Sequence, residues 1–287
     1  MLSGLLIALS ICCSAQYPAF FKVGHRGTRG LMPENTIPAM EKGIEVGANT
    51  VELDIHISKD GQVLVYHDES FNPDYTSMPD GGDIPKEERK KYTFYQMNYA
   101  EIRKFIIGRK EYPAYPQQQR MDCYTPLLGE MIDSVEAFTK ARKLPGVYWL
   151  VEIKSNEKTD GFDQPAPEEF IKILMPVLDA RHLGSRLVVQ SFDMRPLQVI
   201  HRLRPEIKLG FLTDDKHAGF EENINKLGFI PAFYNPNYHL ATPELVKQCH
   251  DKKILIEPWT VNTSEVVQQM KALGVDGIIS DYPNLLQ

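Results

Sequence analysis

The sequence predicts an α/β chain closed as a (β/α)8 TIM barrel, with one long insertion after the second strand region. Three observations carry that prediction. Eight short apolar runs recur between Phe21 and Ile279. Between them lie stretches whose apolar residues return at helical spacing. Histidines and carboxylates gather at the ends of several runs, the place where a barrel of this type collects its reactive groups.

The runs read as strands in order: Phe21 to Gly24, Thr50 to Ile55, Val147 to Ile153, Leu187 to Gln190, Lys208 to Leu212, Phe229 to Phe233, Lys253 to Ile256 and Gly277 to Ile279. Helical spacing appears over Glu130 to Lys143, Glu168 to Ala180 and Pro243 to His250. Ser264 to Leu273 adds a capping residue at its start and stops before Gly274,. Strands alternating with helices make a parallel sheet. A doubly wound open sheet is the alternative, but no Gly-rich dinucleotide loop follows any strand.

One segment breaks the rhythm. Residues 68–124 are polar and rich in Pro, Gly and Tyr, with the charged run Lys86 to Lys91 inside them. Asn98 to Ile106 reads as one helix. A structureless loop of that length is out of place in a compact domain. The segment is expected to fold over one barrel mouth and wall the pocket there.

The chain has 287 residues and a formal net charge of -6. An acidic chain is poorly suited to nucleic acid, whose binding rests on neutralising phosphates with Lys and Arg. Leu2 to Cys13 is apolar but too short to span a bilayer. With Ser14 and Ala15 after it, residues 1–15 read as an export signal. The remainder, 16–287, is then a barrel domain in the periplasm or outside the cell. After such a cut only Cys123 and Cys249 remain, too few for a disulfide framework. No cysteine or histidine spacing suggests a structural zinc site.

The chemistry sits at strand ends. Glu52 and Asp54 are two apart on one strand, so they share a face. Glu152 stands at the same depth on a later strand. Three carboxylates suit a hard divalent cation, Mg2+ or Ca2+. His25 follows the first strand, and His67 follows Val63 to Tyr66. Lone histidines are more often structural, and shared placement at strand ends is what sets these two apart. Two such groups supply the base and the acid that phosphodiester cleavage needs. Arg26 can fork onto phosphate oxygens, and Lys154 adds a point charge beside the carboxylates. His56, His182, His201, His217, His239 and His250 have no such context. Surface or capping roles are expected for them.

In His25-Arg26-Gly27, Pro33 to Thr36, Glu52 to Asp54, His67-Asp68, Glu152 to Lys154 and Trp259 to Asn262, the chain resembles the glycerophosphodiester phosphodiesterases. Gln190 to Phe192 and Gly274 to Asp281 extend the likeness. The resemblance implies a divalent cation on Glu52, Asp54 and Glu152. It implies His25 and His67 as base and acid, with Arg26 and Lys154 on the phosphate. Glu34 and Asn35 match a turn bordering the pocket, and Trp259 is placed to pack against the alcohol. The resemblance also implies a small glycerophosphodiester as substrate. After His67-Asp68 the usual Arg-Thr-Thr-Gly-like segment is replaced by Glu69 to Asp83, which touches head-group choice and not the core chemistry. The rivals are a phosphatidylinositol-specific phospholipase C-like enzyme on intact lipid and a non-catalytic polyol-phosphate binding module. Exposed apolar residues around Tyr92 to Tyr99 or Tyr112 to Tyr115 would favour the lipid reading, and loss of a histidine or carboxylate the module.

Overall fold

The second strand, β2 (Thr50–Ile57), is buried along its whole length, although it carries Glu52, Asp54 and His56. Its alternate residues explain this. Val51, Leu53 and Ile55 join the apolar layer under the surrounding helices, while Glu52 and Asp54 project into a barrel. The computed structural model describes residues 17–287, so the expected export signal lies outside the described residues.

Eight parallel strands form that barrel: β1 (Phe21–Gly24), β2, then β6 (Tyr148–Ile153), β7 (Leu187–Ser191), β8 (Lys208–Thr213), β9 (Phe233–Pro236), β10 (Leu255–Ile256) and β11 (Gly277–Ser280). Their order around the sheet is β10-β9-β8-β7-β6-β2-β1-β11. Between the first and last members, Asp276 and Ile279 donate backbone hydrogen bonds to Ile256 and Pro258, so the barrel is nearly closed. The short β3 (Val63–Val65) turns back antiparallel on β2.

Helices α1 (Ile37–Glu45), α3 (Leu128–Ala141), α4 (Pro167–Asp179), α5 (Met194–Leu203), α6 (Phe220–Leu227), α7 (Pro243–Asp251) and α8 (Ser264–Leu273) cover the outside. Local chemistry fixes their starts. The side chains of Thr36, Thr242 and Thr263 accept from the third residue on, and Pro38, Pro167 and Pro243 stand in first turns,. Gly228 and Gly274 end α6 and α8 in the left-handed conformation,.

Some expected elements moved. The run Phe229 to Phe233 is mostly the loop leaving α6. Pro231 has no N–H to give a ladder, so the strand begins at Phe233,. Lys253 has a φ of 61°, which delays β10 to Leu255. Asn98 to Ile106 is not one helix. Asn98 and Glu101 box a single turn, α2 (Tyr99–Ile102), and the chain then extends into β5 (Ile106–Ile107).

The insertion is a folded unit. β5 pairs with β4 (Thr76–Ser77), and Tyr66, Phe71, Tyr75, Phe94, Ile102 and Phe105 make a separate apolar core. Phe71 stacks on Phe105 at 4.1 Å. Tyr92 packs edge-on against Phe105, and Tyr112 lies against Tyr75. Tyr92 and Tyr112 are half-buried by these contacts. Among the described residues, no helix is long and apolar enough to cross a membrane.

The turn after β1 needs its glycine. Gly27 has a φ of 84°, and a Cβ there would stand 2.5 Å from the Ala39 carbonyl carbon of α1. Gly27→Ala should therefore cost about 2 kcal/mol or more, through left-handed strain plus collision with backbone. Urea unfolding with a lowered midpoint and an unchanged slope would show it. An unshifted midpoint would mean that the turn relaxes freely.

Candidate active site

Parallel pairing of β2 with β6 sets Asp54 beside Glu152, with Glu52 one inward-facing position below. Oxygens of Glu52, Asp54 and Glu152 all lie within 4.8 Å of one another, and all three residues are buried. Burial and mutual repulsion push Glu52 well above the usual carboxylate range. Burial raises Glu152 too. For Asp54, burial is outweighed by Lys154, His67, Arg26 and the Asn35 amide, and its carboxyl is held well below that range. Lys154 Nζ sits 2.9 Å from Asp54 Oδ1 and 2.5 Å from Glu152 Oε1, balancing these two acids. Glu52 Oε2 accepts from the Arg26 backbone at 2.7 Å, but its Oε1 has no hydrogen-bond partner. Three hard oxygen donors, one of them orphaned in the interior, fit a divalent cation.

Each catalytic candidate among the histidines is held by a carboxylate. His25 Nδ1 lies 2.7 Å from Asp281 Oδ1. A carboxylate only accepts, so Nδ1 carries the proton and Nε2 is left bare. Asp281 is fully buried and also accepts from Arg29 at 2.9 and 3.0 Å, Asn262 at 2.7 Å and Tyr115 at 3.3 Å. Burial pulls its carboxyl up, but His25 and then Arg29 outweigh that and hold it far below the ordinary range. Burial, aided by Arg29 and Arg26 and opposed by Asp281, lowers His25 to about 4. His67 Nδ1 lies 2.6 Å from Asp68 Oδ1. Asp68 receives Asn72 and Arg89 as well, and against the upward pull of burial it is held at about 2.

A cavity of about 270 Å³ opens over this centre. His25, Arg26, Arg29, Glu52, His67 and Glu152 line it, with Lys154, Phe192 and Trp259. Trp259 donates its ring N–H to Asn235 O at 2.8 Å and meets Phe192 edge-on, leaving apolar surface toward the cavity. The sequence thus placed His25, Arg26, Glu52, His67, Glu152, Lys154 and Trp259 at one opening.

Two expected pocket residues stand behind it. Glu34 is buried, 2.6 Å from Arg26, and takes the Tyr75 hydroxyl at 3.2 Å. Asn35, with a φ of 57°, gives its amide to Asp54 Oδ2 at 2.8 Å and accepts from the Asp54 backbone at 3.3 Å. Neither lines the cavity. Glu34 fixes Arg26, which does, and Asn35 fixes Asp54 of the acidic cluster beneath it. Arg26, also 3.5 Å from Asp54, is correspondingly tethered.

Three participants escaped sequence reading. Asp281 and Asn262 lie in the stretches that carry the family likeness, and Asp281 follows β11 at the same strand-end position that His25 holds after β1. His56 was expected at the surface. It is buried, shares the inward face of Asp54, and its Nε2 meets His67 O at 3.1 Å. The insertion supplies Asp68, Glu69 and the Tyr115 contact, while Tyr75, Tyr92, Tyr99 and Tyr112 belong to its own apolar core. Asp281→Asn should slow turnover by about tenfold to a hundredfold, because the His25 tautomer is no longer fixed. Unchanged kcat in a folded variant would remove Asp281 from the machinery.

Comparison with known proteins agrees with this geometry. Residues 25–285 match the pattern of the Glycerophosphoryl diester phosphodiesterase family. The chain is 32% identical over 263 residues to a glycerophosphodiester phosphodiesterase of Bacillus altitudinis, covering 91% of this chain and 94% of that one. It is 29% identical over 265 residues to one from Caldanaerobacter subterraneus, covering 92% and 95%. A crystal structure from Silicibacter pomeroyi, described as a candidate enzyme of the same kind, superposes with a TM-score of 0.82 at 27% identity, covering 94% of this chain and 93% of that one. An Oleispira antarctica phosphodiesterase in complex with sn-glycerol-3-phosphate shares the fold, with a TM-score of 0.71 at 23% identity, covering 92% and 94%. Matched over nearly its whole length, this chain belongs to the glycerophosphoryl diester phosphodiesterase family.

Proposed function

We propose that the protein hydrolyses glycerophosphodiesters to glycerol phosphate and an alcohol. One observation carries the reading: two histidines, each with Nδ1 on a carboxylate, open onto a single cavity with Arg26, Lys154 and two of the three clustered acids. His25, neutral with a bare Nε2, takes the proton of the attacking oxygen. His67, oriented by Asp68, gives a proton to the departing alkoxide, which otherwise leaves poorly. Arg26 and Lys154 stand where phosphate oxygens would lie. Glu52, Asp54 and Glu152 would hold Mg2+ or Ca2+, which when bound neutralises charge on the phosphate.

Tyr92 on Phe105 and Tyr112 on Tyr75 are partly covered, leaving less apolar surface for a bilayer, which supports water-soluble diesters over intact lipid. Export of the chain rests on Leu2 to Ala15 alone, and N-terminal sequencing of protein recovered outside the cytoplasm tests it. The activity is tested by assaying released glycerol phosphate from deacylated diesters and from intact phospholipids, with and without chelator. Turnover of the soluble diesters is expected. Turnover of neither, with bound phosphate compounds left intact, would favour a binding module.

A further inference from the structure

A second cavity, of about 230 Å³, adjoins the first and shares His67, Glu152, Lys154 and Phe192 with it. His25 lines only the first cavity, whereas His67 lines both. On the proposed reading, the oxygen that receives a proton from His67 belongs to the alcohol. The alcohol therefore leaves by way of the second cavity.

Four carboxylates line this cavity, Glu152 among them, with donors from Lys154, Ser155 and Gln164 beside them. Asp68, Glu69, Asp163, Asn156, Thr159 and His56 line it. His56 is 2% exposed, and its Nδ1 has no hydrogen-bond partner. Its Nε2 faces a carbonyl oxygen at 3.1 Å, which can only accept. The proton is therefore on Nε2, and Nδ1 of the neutral ring is a buried acceptor without a donor. A buried acceptor of that kind costs free energy while it has no donor.

Charge narrows the choice. Lys154 is spent on Asp54 and Glu152. Arg89 stands 2.9 Å from Asp68 and 3.8 Å from Glu69, and Asp68 is also held by His67, so Glu69 keeps only the longer contact. Asp163 is partly buried, and no ion pair among the described residues holds it. The cavity is left acidic, with the half-exposed ring of Phe192 at its edge.

Resting on the hydrolytic reading above, we propose that this cavity binds the alcohol of the diester as a primary ammonium, and that Glu69 and Asp163 determine the preference. A neutral polyol would satisfy the acceptors but leave the charge unmatched. A quaternary ammonium would match the charge but bring no N–H to the carboxylates. The segment after His67-Asp68, where the sequence leaves the usual pattern, is the source of Glu69.

The experiment compares kcat/KM for glycerophosphoethanolamine, glycerophosphocholine and glycerophosphoglycerol. The ethanolamine diester should lead the glycerol diester by about tenfold or more, the effect of one partly screened charge pair. The choline diester should fall below the ethanolamine diester. Asp163→Asn and Glu69→Gln should each lower the ethanolamine-to-glycerol ratio by about tenfold, mainly through KM, because the alcohol is bound alike before and during reaction. A ratio taken within one preparation does not depend on the fraction folded. If the wild type hydrolyses none of the diesters, the parent reading fails. If it hydrolyses all three with equal kcat/KM, or the variants leave the ratio intact, only the ammonium assignment fails.

Discussion

Glu52→Gln should reduce turnover to background, by about a thousandfold or more, while the barrel stays folded. The substitution keeps side-chain volume and removes a charge from a cluster of three. A cation bound by oxygen ligands needs each of them ionised, and its loss removes several kcal/mol of charge stabilisation from the reaction. Glu52 is buried, pushed toward its neutral form, and has an unpartnered Oε1. An amide there should leave thermal stability in metal-free buffer unchanged or slightly raised, since a buried charge is itself costly. Chelation of the wild type should have the same kinetic effect, reversed by Mg2+ or Ca2+. The variant should not respond to either ion. Full wild-type activity in excess chelator would overturn the metal assignment for all three acids.

The second large effect belongs to the histidines. His25→Ala and His67→Ala should each lose on the order of 10²–10⁴ in rate. The losses should separate by substrate. A nitrophenyl ester expels an anion that needs no proton, so the His67 variant should recover much of its rate on that diester. The His25 variant still lacks the group that activates the attacking oxygen and should not recover. Equal losses on both substrates in both variants would refute the division of labour.

Much of this site was legible in the sequence because strands are simple. Period-two alternation puts Glu52 and Asp54 on one face, and the parallel pairing brings in Glu152 at their level. Strand-end placement singled out His25 and His67. What local pattern cannot carry is partnership across the fold. Glu34 and Asn35 sit in the motif beside Arg26, yet they point away from the cavity to hold Arg26 and Asp54. His56 had no motif, and only burial beside His67 gives it meaning. The starts of β9 and β10 were misplaced because Pro231 and Lys253 act through backbone conformation, which apolar periodicity does not sense. The insertion read as a polar stretch because its apolar core is aromatic and irregularly spaced.

The bond from His25 to Asp281 spans 256 residues. Its two ends directly follow β1 and β11, which pair in parallel. The imidazole and its anchor therefore come from segments far apart in the chain and meet only through that strand pairing. The reactive orientation of His25 arises only once β11 has docked beside β1. A chain in which that pairing had not formed would leave His25 without its orientation, whatever the state of the other reactive side chains. Full activity would thus report a contact between distant parts of the chain, not only the presence of the reactive groups.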